Sequence, residues 1–518
     1  MSEITRRKFG KSLAISLGVA ALASAGSEKS LTAGAEKKPN IVFICSDHHC
    51  YKYTGYAGHS IVRTPNLDRI AKQGVVFTNA YCGHPVCVAS RSSMMTGIYA
   101  SDCNSFCNST VWDGSHPTWG SRLKNAGYYC RAVGKMDLND DYDSGFDEIE
   151  TSHGHRHSPD ITSLFRRPVA YRINERRDVD GGTREKRHQD ASLTDKAVDF
   201  IQNESNKFEK PWALYVGLSE PHPSFNALRQ YYEMYPLYNM DMPNIPSGHL
   251  EELHLVYQEL RHFKLIAVPI PEERIRRARA GFYGMITELD EYIGRIWDEL
   301  VKTNQLKNTI FIYTSDHGES LGEHGLWFKN NLYDVASRIP VLIAGTGLPK
   351  GITVNTPVAH IDLCATILDL GGAQVPPDLR GHSLLPLLNG RTEKAPNFAY
   401  SECHSEGNCT GSFMIRKGDW KYIHFTWYDG LLFNVADDPG EFNNLIDKPE
   451  TREIQKELKN ILYSQVDPEE VTIRAFKAQE KMLEDMKNSI TEQQLFDAFK
   501  SRMGDGLAHL LAAKCKGR

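Results

Sequence analysis

The stretch Pro39-Asn40-Ile41-Val42-Phe43-Ile44-Cys45-Ser46-Asp47-His48 decides the fold, because five consecutive apolar residues run directly into a polar triplet. Residues 309–317, Thr-Ile-Phe-Ile-Tyr-Thr-Ser-Asp-His, repeat the arrangement. Short apolar runs of this kind predict strands buried on both faces of a parallel sheet. Ligands of open α/β sheets collect beyond the carboxyl ends of the strands, so both triplets are expected in one site. The alternative, that each Asp only caps the loop after it, fits one triplet better than two.

Further apolar and amphipathic stretches alternate along the chain, which predicts a doubly wound α/β layer structure. Additional strands are predicted at 212–218 and 339–344, and helices at 65–73, 121–126, 193–204 and 271–300. Four shorter strands separated by Gly and Asp turns predict a small antiparallel sheet, at 398–402, 413–416, 420–425 and 431–435.

These patterns divide the chain into a targeting segment at 1–25, an α/β domain at 38–394, a small antiparallel subdomain at 395–450 and a helical tail at 451–518. Apolar residues of the tail are spaced for one helix face. The tail is therefore expected either to pack on its own domain or to join subunits into a homo-oligomer. Residues 171–190 are polar, charged and interrupted by Gly181-Gly182, which predicts an exposed loop.

The N-terminal segment is typical of an export signal. Arg6-Arg7 precedes an apolar run at 13–22, and Ala23-Ser24-Ala25 offers a cleavage site. The arginine pair indicates the twin-arginine route, so we expect a periplasmic or secreted protein. A short membrane anchor is the alternative, although the run is far below the ~20 residues that span a bilayer. No later stretch is long and apolar enough, so no stable membrane span is expected.

Composition excludes several classes of function. The chain has 518 residues, 41% of them hydrophobic and 24% charged, enough for a large domain and a smaller one. A net charge of −5 gives no basic field, which argues against nucleic acid as the partner. Eleven cysteines are an odd number, and Cys103–Cys107 and Cys403–Cys409 are candidate local bridges that spacing alone cannot decide. The sequence has no CxxC, so a zinc ribbon has no support.

The stretch Cys87-Val88-Ala89-Ser90-Arg91 leads into a helix predicted at 89–96 that stops at Gly97. Cys87 then lies at or just before a helix N-terminus, where free N–H groups favour an anion and lower the pKa of a thiol. Arg91, four residues on, could donate to the same anion. By itself the pattern is also typical of a buried structural cysteine.

The order Cys-x-Ala-Ser-Arg-x-x-x-Met-Thr-Gly at 87–97 resembles the signature of type I sulfatases, members of the alkaline phosphatase superfamily. In that family a formylglycine-generating maturation enzyme oxidises the cysteine to Cα-formylglycine, whose hydrated aldehyde attacks the sulfur of the ester. The second hydroxyl then expels sulfate, so water need not attack a hindered sulfur centre. The resemblance implies that Cys87 is a precursor rather than a thiol nucleophile. It also implies an alkaline phosphatase-like large mixed sheet sandwiched by helices, followed by a small antiparallel sheet.

The same resemblance assigns a metal site to the two Ser-Asp-His segments. Ca²⁺ is the usual metal of the family, and another divalent ion is the alternative. His48 departs from the commoner Asp or Gln, and the ring nitrogen of His317 makes an all-oxygen site less certain. The metal-ligand candidates are Asp47, His48, Cys87, Asp316 and His317.

The remaining site residues follow from three further segments. Gly134-Lys135-Met136-Asp137 resembles a Gly-Lys-x-His motif, with Lys135 on a sulfate oxygen and Asp137 in place of the His, where a carboxylate could act as base. Pro221-His222-Pro223 resembles the family's Pro-His-x-Pro segment, which implies that His222 is the acid for the leaving group or a donor to the ester oxygen. Residues 325–329 resemble the segment with the second sulfate-binding lysine, which implies that role for Lys329. The catalytic candidates are Cys87, Arg91, Lys135, Asp137, His222 and Lys329.

The substrate class stays open at this point. Residues 400–407 look closest to a branch with choline sulfatases and glycan sulfatases, and His404 is either a pocket residue or the end of a strand. Export favours a sulfated carbohydrate over choline sulfate or another sulfated small molecule. Two alternatives keep the same fold: a phosphonate or phosphodiester hydrolase with the same nucleophile, and a catalytically silent binding protein, which the Asp137 departure favours.

Overall fold

The two apolar runs form neighbouring strands at the centre of the large sheet. The computed structural model describes residues 37–150, 171–392 and 395–515. In it β1 (Asn40–Ser46) pairs in parallel with β6 (Trp212–Gly217) on one side and β8 (Thr309–Ser315) on the other. All seven residues of β1 and of β8 are buried. The register pairs Ser46 with Ser315, so Asp47 and Asp316 leave the sheet side by side.

The large sheet is mixed rather than purely parallel. Its order is β10-β2-β9-β8-β1-β6-β3-β4, with β11 beside β2, and β9 runs antiparallel to both β8 and β2. A separate pair, β5 with β7, lies outside it. The further strands before residue 360 are β2 (Gly74–Tyr81), β3 (Tyr129–Gly134), β4 (Glu148–Glu150), β5 (Gly181–Arg184), β7 (Phe225–Leu228), β9 (Arg338–Gly345), β10 (Ile352–Val354) and β11 (Val358–Ala359).

Helices cover both faces of this sheet because alternate residues of each buried strand point to opposite sides. Ile41 and Phe43 pack with residues of α2, α3, α11 and α12, whereas Val42 and Ile44 pack with residues of α1, α5 and α9. The helices before residue 390 are α1 (Pro65–Ala71), α2 (Cys87–Thr96), α3 (Trp119–Asn125), α4 (Ile173–Asp178), α5 (Gln189–Asp199), α6 (Arg229–Tyr232), α7 (His249–Glu252), α8 (Leu255–Phe263), α9 (Glu272–Lys302), α10 (Asp334–Ser337), α11 (Asp362–Leu370) and α12 (Leu385–Leu388).

The predicted small sheet is present as an antiparallel meander of four strands. Its strands are β12 (Ala399–Cys403), β13 (Ser412–Lys417), β14 (Trp420–Phe425) and β15 (Tyr428–Asn434). Four helices follow: α13 (Arg452–Gln465), α14 (Pro468–Ser489), α15 (Glu492–Met503) and α16 (Asp505–Cys515). Leu458 and Leu462 of α13 share an apolar cluster with Phe413 and Ile415 of the sheet. The tail therefore packs on its own chain, and the homo-oligomer stays a prediction.

One expectation from the sequence is wrong. Residues 171–190 are not one exposed loop, because they contain α4, β5 and the start of α5, and Arg172 and Glu175 are buried. The charged residues of this segment suggested exposure to solvent, but they pair with one another inside the fold: Arg172 Nη1 lies 3.1 Å from Glu175 Oε1. The two candidate local disulfide bridges, which the spacing left undecided, are not formed, since Cys103, Cys107 and Cys403 carry free thiols.

The predicted targeting segment at 1–25 lies outside the described residues. Within the described ranges, no helix combines the length and the apolar character needed to cross a bilayer.

Candidate active site

Cys87 is the first residue of α2, at the helix N-terminus as predicted, and the helix begins two residues before the predicted range of 89–96. All ten residues of α2 are buried, and small side chains such as Ala89 and Ser90 let the helix approach the two central strands closely. The Ser90 hydroxyl donates to the backbone oxygen of Asp316 at 2.5 Å. Gly97, with φ of 76°, ends the helix in the left-handed region where glycine is favoured. The helix thus carries residue 87 to the edge where the triplets emerge.

The Cys87 thiol lies among charged groups from three other segments. Lys329 Nζ is 2.6 Å from Sγ, His317 Nε2 is 3.3 Å away and Asp47 Oδ1 is 3.6 Å away. Burial raises the pKa of this thiol to about 11, and Asp47 adds to the rise. Burial therefore works against formation of a thiolate at Cys87.

Four buried side chains form a group that fits a divalent cation. Ligand atoms of Asp47, His48, Cys87 and His317 all lie within 4.8 Å of one another. His48 Nε2 is buried in this group without a hydrogen-bond partner, as expected of a nitrogen that awaits a metal. Although burial acts in the opposite direction, Lys135 and the neighbouring histidines hold the pKa of Asp47 well below its usual value.

Asp316 lies beside this group and is already heavily hydrogen-bonded. Its Oδ1 accepts the backbone N–H of His317 at 2.8 Å and that of His48 at 3.3 Å, while Oδ2 accepts Arg91 Nε at 2.9 Å. The same Oδ1 is 3.6 Å from His317 Nε2. Asp316 therefore joins the two triplets through their backbones, and its role as a metal ligand stays a prediction.

Arg91 is completely buried and supports the site from behind. Besides Asp316, it donates through Nη1 to the backbone oxygen of Lys135 at 2.9 Å and to the Tyr215 hydroxyl at 2.8 Å. Its Nη2 donates to the backbone oxygen of Ser46 at 3.1 Å. All three guanidinium nitrogens are thus engaged with protein atoms, so the geometry assigns Arg91 to positioning. Its direct contact with a sulfate stays a prediction.

Lys135 and Lys329 reach the site from segments that are far apart in the sequence. Lys135 Nζ contacts Asp47 Oδ2 and lies 3.3 Å from Asp137 Oδ2, so two carboxylates compensate its charge. A side chain at Gly217 would collide with the Lys135 backbone oxygen, so glycine permits this close approach of β6 to the end of β3. Lys264 holds the other lysine in place, because its Nζ donates to the Lys329 backbone oxygen at 3.1 Å.

His222 lies at the rim of the site and is half-buried. Its ring packs edge-on against the His48 ring, with centroids 4.7 Å apart, and its Nδ1 is 2.7 Å from the backbone oxygen of Pro223. A carbonyl at that distance places a proton on Nδ1 and leaves Nε2 for another partner. Burial lowers the pKa of His222 to about 3, and the charges of Lys135 and Lys329 act in the same direction.

Comparison with known proteins shows the family to which the chain belongs. Residues 39–373 match the family model described as Sulfatase. The chain belongs to the sulfatase family. It is therefore a sulfuric-ester hydrolase with an alkaline phosphatase-like fold. Residues 322–468 of this sulfatase also match the model described as N-sulphoglucosamine sulphohydrolase, C-terminal.

Individual relatives cover most of the sulfatase chain. It is 30% identical to arylsulfatase K of Danio rerio, over 83% of this chain and 84% of the relative. It is also 30% identical to choline-sulfatase of Rhizobium meliloti (strain 1021), over 80% of this chain and 83% of the relative.

Solved structures share the fold at lower identity. Phosphonate monoester hydrolase of Agrobacterium radiobacter has a TM-score of 0.69 at 22% identity and covers 83% of this chain and 95% of its own. A second protein, solved in complex with its substrate D-glucosamine-2-N,6-O-disulfate, has a TM-score of 0.68 at 24% identity, and the match covers 85% of this chain and 99% of that protein's chain.

Sequence reasoning missed two residues that support this site. Glu319 binds the His48 ring, and its place in Ser315-Asp316-His317-Gly318-Glu319 was the only signal for it. Tyr215 binds Arg91 from the middle of β6, where an aromatic residue looks like ordinary core. His404 is buried directly after β12, with its Nε2 3.0 Å from Glu402 Oε2, and its role as a pocket residue stays a prediction.

Proposed function

We propose that this sulfatase hydrolyses a sulfate ester of a carbohydrate through a formylglycine made from Cys87, with a divalent metal at the adjoining acid and histidine group. The position of the Cys87 side chain carries the proposal. Its Sγ lies where Lys329, His317 and Asp47 converge, all within 3.6 Å. An oxygen at that position would meet a cation, a candidate metal ligand and a carboxylate together.

Formylglycine and the divalent metal would supply the most demanding chemistry. Hydrated formylglycine supplies a hydroxyl nucleophile, and the metal supplies positive charge that favours its ionised form and the anionic ester. The fit is supported by the buried, unpartnered Nε2 of His48 and by the acidic and imidazole donors around it. The candidate ligands are Asp47, His48, Asp316, His317 and residue 87.

The residues of the chain itself hold the anion and handle the protons. Lys329 and Lys135 bring two ammonium groups to the site, which stabilise negative charge on the sulfuryl oxygens. With an anionic ester bound beside it, His222 takes up a proton from solvent at Nε2 and gives that proton to the ester oxygen as the leaving group departs. Asp137, whose carboxylate lies 3.3 Å from Lys135 Nζ and 3.8 Å from Arg91 Nε, is the proposed base.

The proposed substrate is a sulfated carbohydrate, with choline sulfate as the small-molecule alternative. The twin-arginine segment, which predicts a periplasmic or secreted enzyme, supports the carbohydrate. The solved complex with D-glucosamine-2-N,6-O-disulfate shows that the fold accommodates a sulfated sugar in that protein. If export is of the folded chain, the maturation enzyme must act on residue 87 before export, because the folded site buries it completely.

A panel of substrates tests this function. The mature enzyme is incubated with position-defined sulfated mono- and disaccharides, choline sulfate and an aryl sulfate, and released sulfate is measured. Desulfation of a saccharide in preference to choline sulfate is expected, and Cys87→Ala should abolish sulfate release. Turnover by Cys87→Ala at the level of the unaltered enzyme would contradict the proposed nucleophile.

A phosphonate or phosphodiester hydrolase is the second candidate, since the fold is shared with phosphonate monoester hydrolase of Agrobacterium radiobacter. Matched aryl sulfate, aryl phosphonate monoester and phosphate diester substrates distinguish the two. A large preference for phosphorus over sulfur in kcat/KM would favour the second candidate.

A further inference from the structure

The hydrogen bonding of the His48 ring is typical of a metal ligand. Its Nδ1 lies 2.9 Å from Glu319 Oε2, and both residues are at most 1% exposed. A carboxylate on one imidazole nitrogen fixes the ring and places the proton there. The other nitrogen, Nε2, then carries a lone pair, and it lies 3.7 Å from Asp47 Oδ1 inside the candidate cation group.

Glu319 also fixes the loop that carries Lys329. Its Oε1 accepts the backbone N–H of Leu321 at 2.9 Å and that of Phe328 at 2.6 Å. One buried carboxylate therefore orients the His48 ring through one oxygen and the residue before Lys329 through the other. This double engagement leaves the Glu319 side chain a single orientation, so the His48 ring is equally restricted.

The donor set consequently contains two imidazole nitrogens. His317 is anchored in the same way, with Nδ1 3.0 Å from the Gly318 backbone oxygen and Nε2 directed at the group. Ca²⁺ takes oxygen ligands almost exclusively, whereas first-row transition dications bind imidazole well. The remaining donors are Asp47, Asp316 and the formylglycine oxygens proposed for residue 87.

We propose that Glu319 fixes His48 as a nitrogen ligand and that the site therefore selects a first-row transition dication such as Mn²⁺ or Co²⁺ over Ca²⁺. The inference deepens the proposed function and rests on it only in placing a divalent cation at this group. Glu319 is a positioning residue in this account, because it acts on the metal through His48.

Metal binding tests the proposal without any turnover. The full chain carrying Cys87→Ser keeps an oxygen at residue 87 and excludes a thiolate that would itself bind transition metals. After removal of bound metal with a chelator, isothermal titrations with MnCl₂, CoCl₂ and CaCl₂ give three dissociation constants. We expect Mn²⁺ and Co²⁺ to bind at least tenfold more tightly than Ca²⁺. Equal or tighter binding of Ca²⁺ would overturn the proposal.

Two variants in the same background separate the roles. His48→Asp replaces the nitrogen by oxygen and should reverse the order, with Ca²⁺ bound more tightly than Co²⁺. In Glu319→Gln the amide oxygen serves the Leu321 and Phe328 N–H groups, so its NH₂ faces His48 Nδ1. The His48 proton then moves to Nε2 and blocks ligation, so we expect a ten- to hundredfold loss of Co²⁺ affinity. Unchanged metal preference in either folded variant would overturn the proposal.

A matched control and a spectroscopic count complete the design. Glu299→Gln changes another buried carboxylate, on α9 and paired with Lys302, and should leave all three constants unchanged. Pulsed electron paramagnetic resonance of the Mn²⁺ form of the Cys87→Ser protein counts the nitrogens coupled to the metal. This measurement does not depend on whether the His48 and Glu319 variants fold. Two imidazole nitrogens are expected, and one or none would contradict ligation by His48. Because no substrate is used, failure here leaves the sulfatase proposal to be judged by its own assay.

Discussion

Removal of the Lys329 ammonium should damage catalysis while leaving the fold intact. Lys329 Nζ lies 2.6 Å from Cys87 Sγ, so a sulfuryl oxygen on the atom that replaces the sulfur would lie within about 4 Å of the charge. At an effective dielectric constant of about 20, two unit charges at that distance interact by about 4 kcal/mol. Since each 1.4 kcal/mol is about a factor of ten, Lys329→Met should lower kcat/KM by about a thousandfold.

The assay is hydrolysis of an aryl sulfate under conditions where kcat and KM are resolved separately. Lys350→Met is the matched control, because Lys350 is exposed and donates only to Gln73 Oε1 among its described hydrogen bonds, at 3.1 Å. The fraction of residue 87 converted to formylglycine is measured for each protein, so that lost maturation is not mistaken for lost catalysis. A fall of less than tenfold at equal conversion would refute the charge assignment for Lys329.

Three further perturbations follow from the same geometry. His222→Asn should slow the hydrolysis of sulfate esters that have poor leaving groups by a hundredfold or more, and that of esters with good leaving groups by less. The reason is that a proton donor matters most for a basic leaving oxygen. Equal losses across a series of aryl and alkyl sulfates would contradict this. Arg91→Met leaves the buried Asp316 carboxylate unpaired and should destabilise the fold by about 3–5 kcal/mol, seen as a lower unfolding midpoint in denaturant. Burial disfavours the ionised form of Glu402, but His404 lowers the pKa of its carboxyl from 4.5 to about 2. The stabilisation of the fold by ionised Glu402 is therefore complete above pH 4.5 and is lost as the pH falls towards 2. Glu402→Gln should therefore destabilise the protein at neutral pH by about 3 kcal/mol and remove that acid-dependent component, which thermal unfolding across the pH range would reveal.

Local sequence patterns were sufficient to predict the elements in which a continuous run of buried residues allows only one structure. Residues 41–45 and 310–313 are apolar without interruption, and both runs lie in central strands that bring Asp47 and Asp316 to one edge of the sheet. The helix at 89–96 was predicted from small residues and Gly97, and it forms with Cys87 as its first residue. Because both strands and the helix end at the same place, the sequence could bring residue 87 and the two Asp residues together.

Long-range pairing set the limit of prediction. The charged segment at 171–190 looked solvated, yet Arg172 finds Glu406 at 3.0 Å from a distant part of the chain. Arg91 looked like an anion clamp, but its partners Tyr215 and Ser46 are defined only once three strands are aligned. The contact between His48 and Glu319 likewise spans 271 positions, so the sequence offered His48 as a candidate ligand but could not show that a buried carboxylate orients its ring.

The chemical identity of residue 87 is the central claim, and mass spectrometry of the active enzyme tests it most directly. The peptide that contains residue 87, isolated from protein that releases sulfate at its full rate, should have the mass of formylglycine or its hydrate in place of cysteine. The fraction converted should rise in proportion to specific activity across preparations. Full activity in protein whose residue 87 is entirely an unmodified thiol would contradict the account.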